Sequence, residues 1–145
     1  MQVTARLDYA LQTMLAVAEA RGEPTSTAAL ADRLDISYHY LLSVVGELRR
    51  AGLLRVRRGA AGGLLLARPP EEITLGDVVV AVDGPLVLPD HEAADLGRAG
   101  GCSEYLRELW LSAHRAMLAV FSEIPLTQAR AALENDQGAL GAAVP

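Results

Sequence analysis

The chain has no lysine, a single cysteine, and aromatic residues at only 4% of its positions. Each shortage removes a class of protein. One thiol, Cys102, cannot close an internal disulfide and supplies too few ligands for a self-contained zinc or iron–sulfur site. A reducing cytoplasm and the absence of any cofactor or metal are therefore expected. No apolar run approaches the roughly 20 residues needed to span a bilayer. The apolar stripes near the N-terminus are interrupted by Arg6, Asp8 and Glu19, unlike an export signal, so no membrane partner is expected. Catalysis lacks its usual parts, since no nucleophile–base pair, metal constellation or phosphate loop is visible. The glycine-rich segment Arg58-Gly59-Ala60-Ala61-Gly62-Gly63 follows a predicted strand but opens into another strand, which is the wrong context for a nucleotide loop. An enzyme is not expected on these grounds.

What is present is a hydrophobic, alanine- and leucine-rich chain of 145 residues, enough for one mostly helical domain with a docking element attached. Its net charge of -5 argues against binding polyanions through overall charge. The distribution says more. Residues 37–68 hold six arginines against Glu47, a local excess of +5, whereas residues 69–104 hold Arg98 against eight acids, a local -7. A basic block inside an acidic body is the footprint of a localised nucleic-acid contact.

Apolar spacing predicts an amphipathic helix over residues 4–20, capped by Thr4 and stopped at Arg21-Gly22-Glu23-Pro24. A short helix follows Ser26, a favoured cap, and a third starts after Asp35-Ile36-Ser37. Two short helices joined by such a turn form the helix-turn-helix pattern. In the third helix Leu41, Val44, Val45 and Leu48 share the core face. Tyr38, His39, Ser43, Arg49 and Arg50 belong mainly to other faces, free for a groove. Tyr40 adjoins Leu41 and is read first as a packing residue. The next stretch alternates imperfectly, turns at the glycines and returns through Leu64-Leu65-Leu66, which predicts a hairpin wing bearing Arg55, Arg57, Arg58 and Gly59. A solvated surface hairpin is the plainer reading, but the preceding helix and glycine tip favour contact with duplex DNA.

Beyond Pro69-Pro70, Thr74 and Asp77 stand in capping-box register before a valine-rich helix over residues 73–82. Residues 83–101 are acidic, rich in glycine and proline, and predicted to be a loop. Over residues 103–123, Leu106, Leu109, Trp110, Ala113, Met117, Val120 and Phe121 recur at a/d-like spacing. That stripe has two destinations, its own core or a second copy. The second is favoured because a two-fold protein reads two half-sites. Ile124-Pro125-Leu126-Thr127 breaks the helix, residues 128–133 form a final turn, and residues 134–145 are expected to be a disordered tail.

Several segments together resemble the Rrf-two family of bacterial winged-helix transcriptional regulators, which includes iron–sulfur cluster, nitric-oxide and cysteine-metabolism regulators. They are Thr4-Ala5-Arg6-Leu7-Asp8-Tyr9-Ala10-Leu11, Ile36-Ser37 with Tyr40-Leu41, Leu48-Arg49-Arg50-Ala51-Gly52-Leu53, the glycine tip with Leu66-Ala67-Arg68-Pro69, and Ile73-Thr74-Leu75 leading to Ala81-Val82-Asp83-Gly84-Pro85. Leu109-Trp110 and Ile124-Pro125-Leu126-Thr127 extend the likeness. Order and spacing make it specific.

The resemblance implies a mainly α fold with a small β-hairpin wing. Residues 1–70 would form the winged helix-turn-helix, residues 71–133 a linker helix, acidic loop and dimerisation helix, and residues 134–145 the tail. It also implies a homodimeric repressor on a pseudo-palindromic operator, answering an unidentified small-molecule or redox effector. Ser37, Tyr38, His39, Tyr40 and Ser43 would enter the major groove and Arg58 the minor groove. One departure concerns the sensor. Cluster-binding members carry three cysteines before the long helix, whereas this chain has Cys102 alone, with Glu104 where the third usually sits. Asp8 occupies a place from which some relatives supply a carboxylate ligand, but His39, His91 and His114 do not complete a ligand set, so no iron–sulfur cluster is expected. Cys102 is either a small packed thiol or a redox sensor. The competing function is a winged-helix protein-interaction or adaptor module without DNA binding.

Overall fold

Thr4 starts the first helix by accepting a hydrogen bond from the Leu7 backbone amide, as its residue type favours. In a computed structural model, residues 4–84 and 102–142 are described, without side-chain detail at 102–104, 134 and 136–142. The elements are α1 (Ala5–Glu19), α2 (Thr27–Arg33), α3 (Tyr38–Arg50), β1 (Leu54–Arg57), β2 (Gly63–Leu66), a single 3-10 turn (Pro70–Glu72), α4 (Leu75–Asp83), α5 (Cys102–Ser122) and α6 (Leu126–Ala142). Ser26 and Ser37 cap α2 and α3 through their hydroxyls. Asp35 takes a left-handed conformation (φ 52) in the turn between them, which a short polar side chain tolerates. The acidic loop, including His91, lies outside the described residues.

One apolar core joins both sides of Pro70. Met14 of α1, Leu30 of α2, Leu41 and Leu48 of α3, Ile73, Val78 of α4 and Leu126 of α6 are all at most 2% exposed. The valine run of α4 costs a few tenths of a kcal/mol per residue in helix propensity. Burying Val78 and Val79 returns roughly 1.5–3 kcal/mol each, so packing decides the conformation. A complete capping box between Thr74 and Asp77 fixes where that helix begins. Gly76 lets α5 approach, because a Cβ there would stand 2.4 Å from the Ser122 hydroxyl.

The wing is a two-stranded antiparallel ribbon in register Leu54↔Leu66 through Arg57↔Gly63. It is not free-standing. Thr25 and Leu64 exchange backbone hydrogen bonds of 2.9 and 2.8 Å, tying the ribbon to the segment before α2. Two glycines make this geometry possible by close approach. A Cβ on Gly63 would lie 2.6 Å from the Thr25 carbonyl oxygen, and one on Gly62 would lie 2.2 Å from that of Arg57.

The C-terminal part is longer than the sequence suggests. Where a final turn and a tail were expected, α6 runs from Leu126 to Ala142 and packs on α1 and the 3-10 turn. Its alanines favour a helix, while the scattered glycines and lack of a strong apolar stripe hide it in one dimension. Residues 143–145 lie outside the description. The elbow between α5 and α6 is clamped to the start of α4 by Leu75 N–H to the Ile124 carbonyl (2.9 Å) and Leu126 N–H to the Ile73 carbonyl (2.8 Å). Among the described residues, no helix is long and apolar enough to cross a membrane.

Replacing Gly62 by Ala forces a carbon into the Arg57 carbonyl, and we expect a loss of about 1–3 kcal/mol. Urea unfolding would show a lowered midpoint at unchanged slope, and an unaltered midpoint would mean that the tip opens without cost.

Candidate nucleic-acid interface

Four buried residues orient α3. Leu41, Val44, Val45 and Leu48 face the core, so helical geometry turns His39, Leu42, Ser43, Arg49 and Arg50 outward, and all five are exposed. Leu42, 41% exposed, was missed by the sequence reading. Its place three residues after His39 was the available signal, masked because leucine is most often a core residue. An exposed leucine among polar groups can meet a thymine methyl. Gly46 leaves the middle of that stripe low, with open space around it.

The start of α3 is built around its cap. The Ser37 hydroxyl accepts from the Tyr40 amide at 3.1 Å, leaving its proton available to a phosphate or base. Tyr40 packs edge-on against Tyr9 of α1, with ring centroids 5.8 Å apart, yet remains part-exposed. It both packs and reaches solvent. Tyr38, 46% exposed, makes an edge contact with His39 at 6.1 Å. At the other end Arg49 and Arg50 occupy the last turn, where the helix dipole favours cations.

The three wing arginines differ. Arg55 Nε donates to the Leu66 carbonyl at 3.2 Å, and Arg57 Nη2 donates to the Ala61 carbonyl at 2.7 Å. Both are thus drawn back along the ribbon and stiffen it. Arg58, at the tip beside Gly59 (φ 108), is exposed and forms no hydrogen bond or ion pair with the described residues. Arg68 is turned away toward Asp77 (3.3 Å).

The α5 stripe is also open. Leu106, Leu109, Trp110, Ala113 and Val120 are exposed, Trp110 by 60% and Leu109 by 51%. Tyr105, outside the predicted set, is exposed beside them. Met117 is half-buried, and Phe121 packs against the chain's own core. The elbow draws this last turn inward, so the predicted stripe divides between two destinations.

The candidate metal ligands are dispersed. Asp8 accepts from the Gln12 side chain at 2.7 Å, His39 lies on α3, and His114 has a buried Nε2 without a hydrogen-bond partner among the described residues. Cys102 opens α5, with its side chain outside the description, as is that of Glu104. Among the described residues, no three His, Cys, Asp or Glu side chains are grouped to hold a metal ion.

A family model for Rrf2, described as an iron-dependent transcriptional regulator, matches residues 3–131. This chain belongs to the Rrf2 family. The chain is 33% identical over 144 residues to the HTH-type transcriptional regulator CymR of Bacillus subtilis, covering 96% of each. It is 38% identical over 124 residues to the HTH-type transcriptional regulator IscR of Cereibacter sphaeroides, covering 79% of this chain and 78% of that protein. The solved structure of CymR, the global cysteine regulator of B. subtilis, superposes with a TM-score of 0.68 at 32% identity, covering 90% of this chain and 97% of that one. IscR of T. potens superposes at 0.73 with 27% identity, covering 94% and 91%. The mainly helical winged-helix fold is thus that of Rrf2 regulators, and this member is a DNA-binding transcriptional regulator, not an enzyme.

Proposed function

We propose that this Rrf2 protein is a homodimeric repressor that holds a pseudo-palindromic operator, with α3 in the major groove and Arg58 in the adjacent minor groove. The observation that carries this reading is the division of labour among the arginines. Arg55 and Arg57 brace the ribbon, while Arg58, at a glycine-bounded tip, bonds to none of the described residues. A narrow minor groove concentrates negative potential and attracts such a side chain. On α3, Ser37, His39 and Ser43 supply hydrogen-bonding groups for base edges, Leu42 an apolar one, and Tyr38 and Tyr40 the flanking contacts. Arg49 and Arg50 anchor to phosphate, which fixes register without reading sequence.

The second copy docks on α5 in this reading. An exposed row containing Tyr105, Leu106, Leu109, Trp110 and Val120 is the kind of apolar patch that marks a protein interface. Because the α5–α6 elbow is hydrogen-bonded to α4, a partner on α5 would set the separation of the two α3 helices. Occupying both half-sites doubles the phosphate contacts and blocks the promoter. Residues 1–70 carry the DNA contacts, and the rest carries the pairing.

The donor set does not fit an iron–sulfur cluster. The chain has one thiol, clusters prefer cysteine ligands, and the Asp8 carboxylate is already engaged by Gln12. We assign no cofactor, and no step of operator binding passes through iron.

Selection of binding sites from genomic DNA should return an inverted repeat, and recovery of random duplexes would refute sequence-specific binding. On that operator Arg58→Ala should weaken binding and lower the slope of log affinity against log salt by about one, whereas an unchanged isotherm would remove Arg58 from the interface. Leu109→Asp should convert the dimer to monomers in ultracentrifugation, with much weaker binding to the repeat. A surviving dimer would move the interface elsewhere. Anaerobically purified protein should be colourless and contain no stoichiometric iron, and a visible cluster spectrum would overturn the cofactor assignment.

A further inference from the structure

Two charges stand at electrostatically unfavourable ends of their helices. Arg6 lies in the first turn of α1 and Glu47 opens the last turn of α3, each facing the helix pole of its own sign. Their side chains meet. Arg6 Nε donates to Glu47 Oε2 at 2.9 Å and its Nη2 donates to Oε1, a two-point ion pair between the helices. The same Nη2 also donates to the hydroxyl oxygen of Ser43 at 3.4 Å. Ser43 and Glu47 are four residues apart, hence neighbours on one side of α3, and one guanidinium spans both. The Glu47 side chain is 17% exposed and that of Arg6 40%. A two-point, part-buried pair contributes to stability, but that alone does not account for the third contact, from the same guanidinium to Ser43.

We propose that Arg6 is a specificity-determining positioning residue, which sets the polarity in which Ser43 meets the base it reads. A serine hydroxyl can donate or accept, so an unconstrained Ser43 would discriminate poorly among base edges. With its oxygen turned toward a cation that Glu47 holds in place, the hydroxyl proton points away from Arg6. Arg6 takes one of the oxygen's two lone pairs, so Ser43 is presented as a donor first and an acceptor second. It selects acceptor edges in the major groove, such as N7 or O6 of guanine or O4 of thymine, over the amino groups of cytosine and adenine. Arg6 itself, held by Glu47, is withheld from phosphate. This inference rests on the assignment of α3 to the major groove.

The test uses the full-length protein and the operator obtained by selection, with relative affinities measured for all four bases at each half-site position. Ser43→Ala should flatten the preference at one position. Arg6→Gln should alter that same position by about three- to tenfold, the scale of one hydrogen bond, while leaving the other positions and the salt slope unchanged. Combined with Ser43→Ala it should add nothing further. Arg6→Lys, which keeps the charge but not the two-point grip, should fall between. A uniform loss of affinity or a lowered salt slope in Arg6→Gln would make Arg6 an ordinary phosphate contact or structural support, and would overturn the proposal. So would a base effect of Arg6→Gln that persists without the Ser43 hydroxyl. If Ser43→Ala changes no position, the groove assignment of Ser43 itself fails and takes the proposal with it.

Discussion

Burial of one face of α3 is the constraint on which the rest depends. Leu41, Val44, Val45 and Leu48 sit at 4% exposure or less, and each contributes on the order of 1.5–3 kcal/mol by leaving water. No rotation of the helix that brings His39 or Ser43 inward can compete with that sum. The outward face is therefore fixed by apolar packing and not by the polar residues it displays. The same packing supports Tyr40 against Tyr9 and brings Glu47 within reach of Arg6, so the exposed face of α3 is positioned by contacts made beneath and beside it.

The wing obeys a different physics. It buries little beyond Leu54, Leu64 and Leu65, and its position comes from backbone hydrogen bonding to Thr25 and from glycines that admit close contact. Two of its arginines are used internally, stiffening a short ribbon that would otherwise be marginal. The backbone at Arg58 is thereby held by the hairpin itself, while its side chain stays exposed. The α5–α6 elbow plays a parallel role at the other end. Its strand-like bonds to the start of α4, which packs on both α5 and α3, tie the exposed side of α5 to α3.

Much of this was legible in one dimension because it rests on local periodicity and short-range chemistry. The caps at Thr4, Ser26 and Ser37, the Thr74–Asp77 box, the core face of α3 and the glycine-tipped hairpin all follow from residue type at fixed spacing, and the structure has each of them. The extent of α6 was not legible, since glycines obscure its alanine-rich pattern and its contacts lie on α1, more than 100 residues away in sequence. The outward turn of Leu42 and the inward turn of Phe121 were also hidden, because hydrophobicity alone does not say which neighbour covers a side chain.

Alone, the sequence determined the class of molecule. It sets a basic, helix-plus-hairpin block within an acidic chain, and it fixes a thiol count too small for a cysteine-ligated cluster. These follow from composition and from spacings within a few residues. The tertiary structure decided which of the similar groups are free to act. Three wing arginines look alike in sequence, yet among the described residues two are tied to carbonyls and one is not. Ser43 looks like any exposed serine until Arg6, 37 positions away, donates to it. Hydrogen bonds between residues remote in sequence exist only once the core has brought their helices together, and for that reason no local pattern could have announced them.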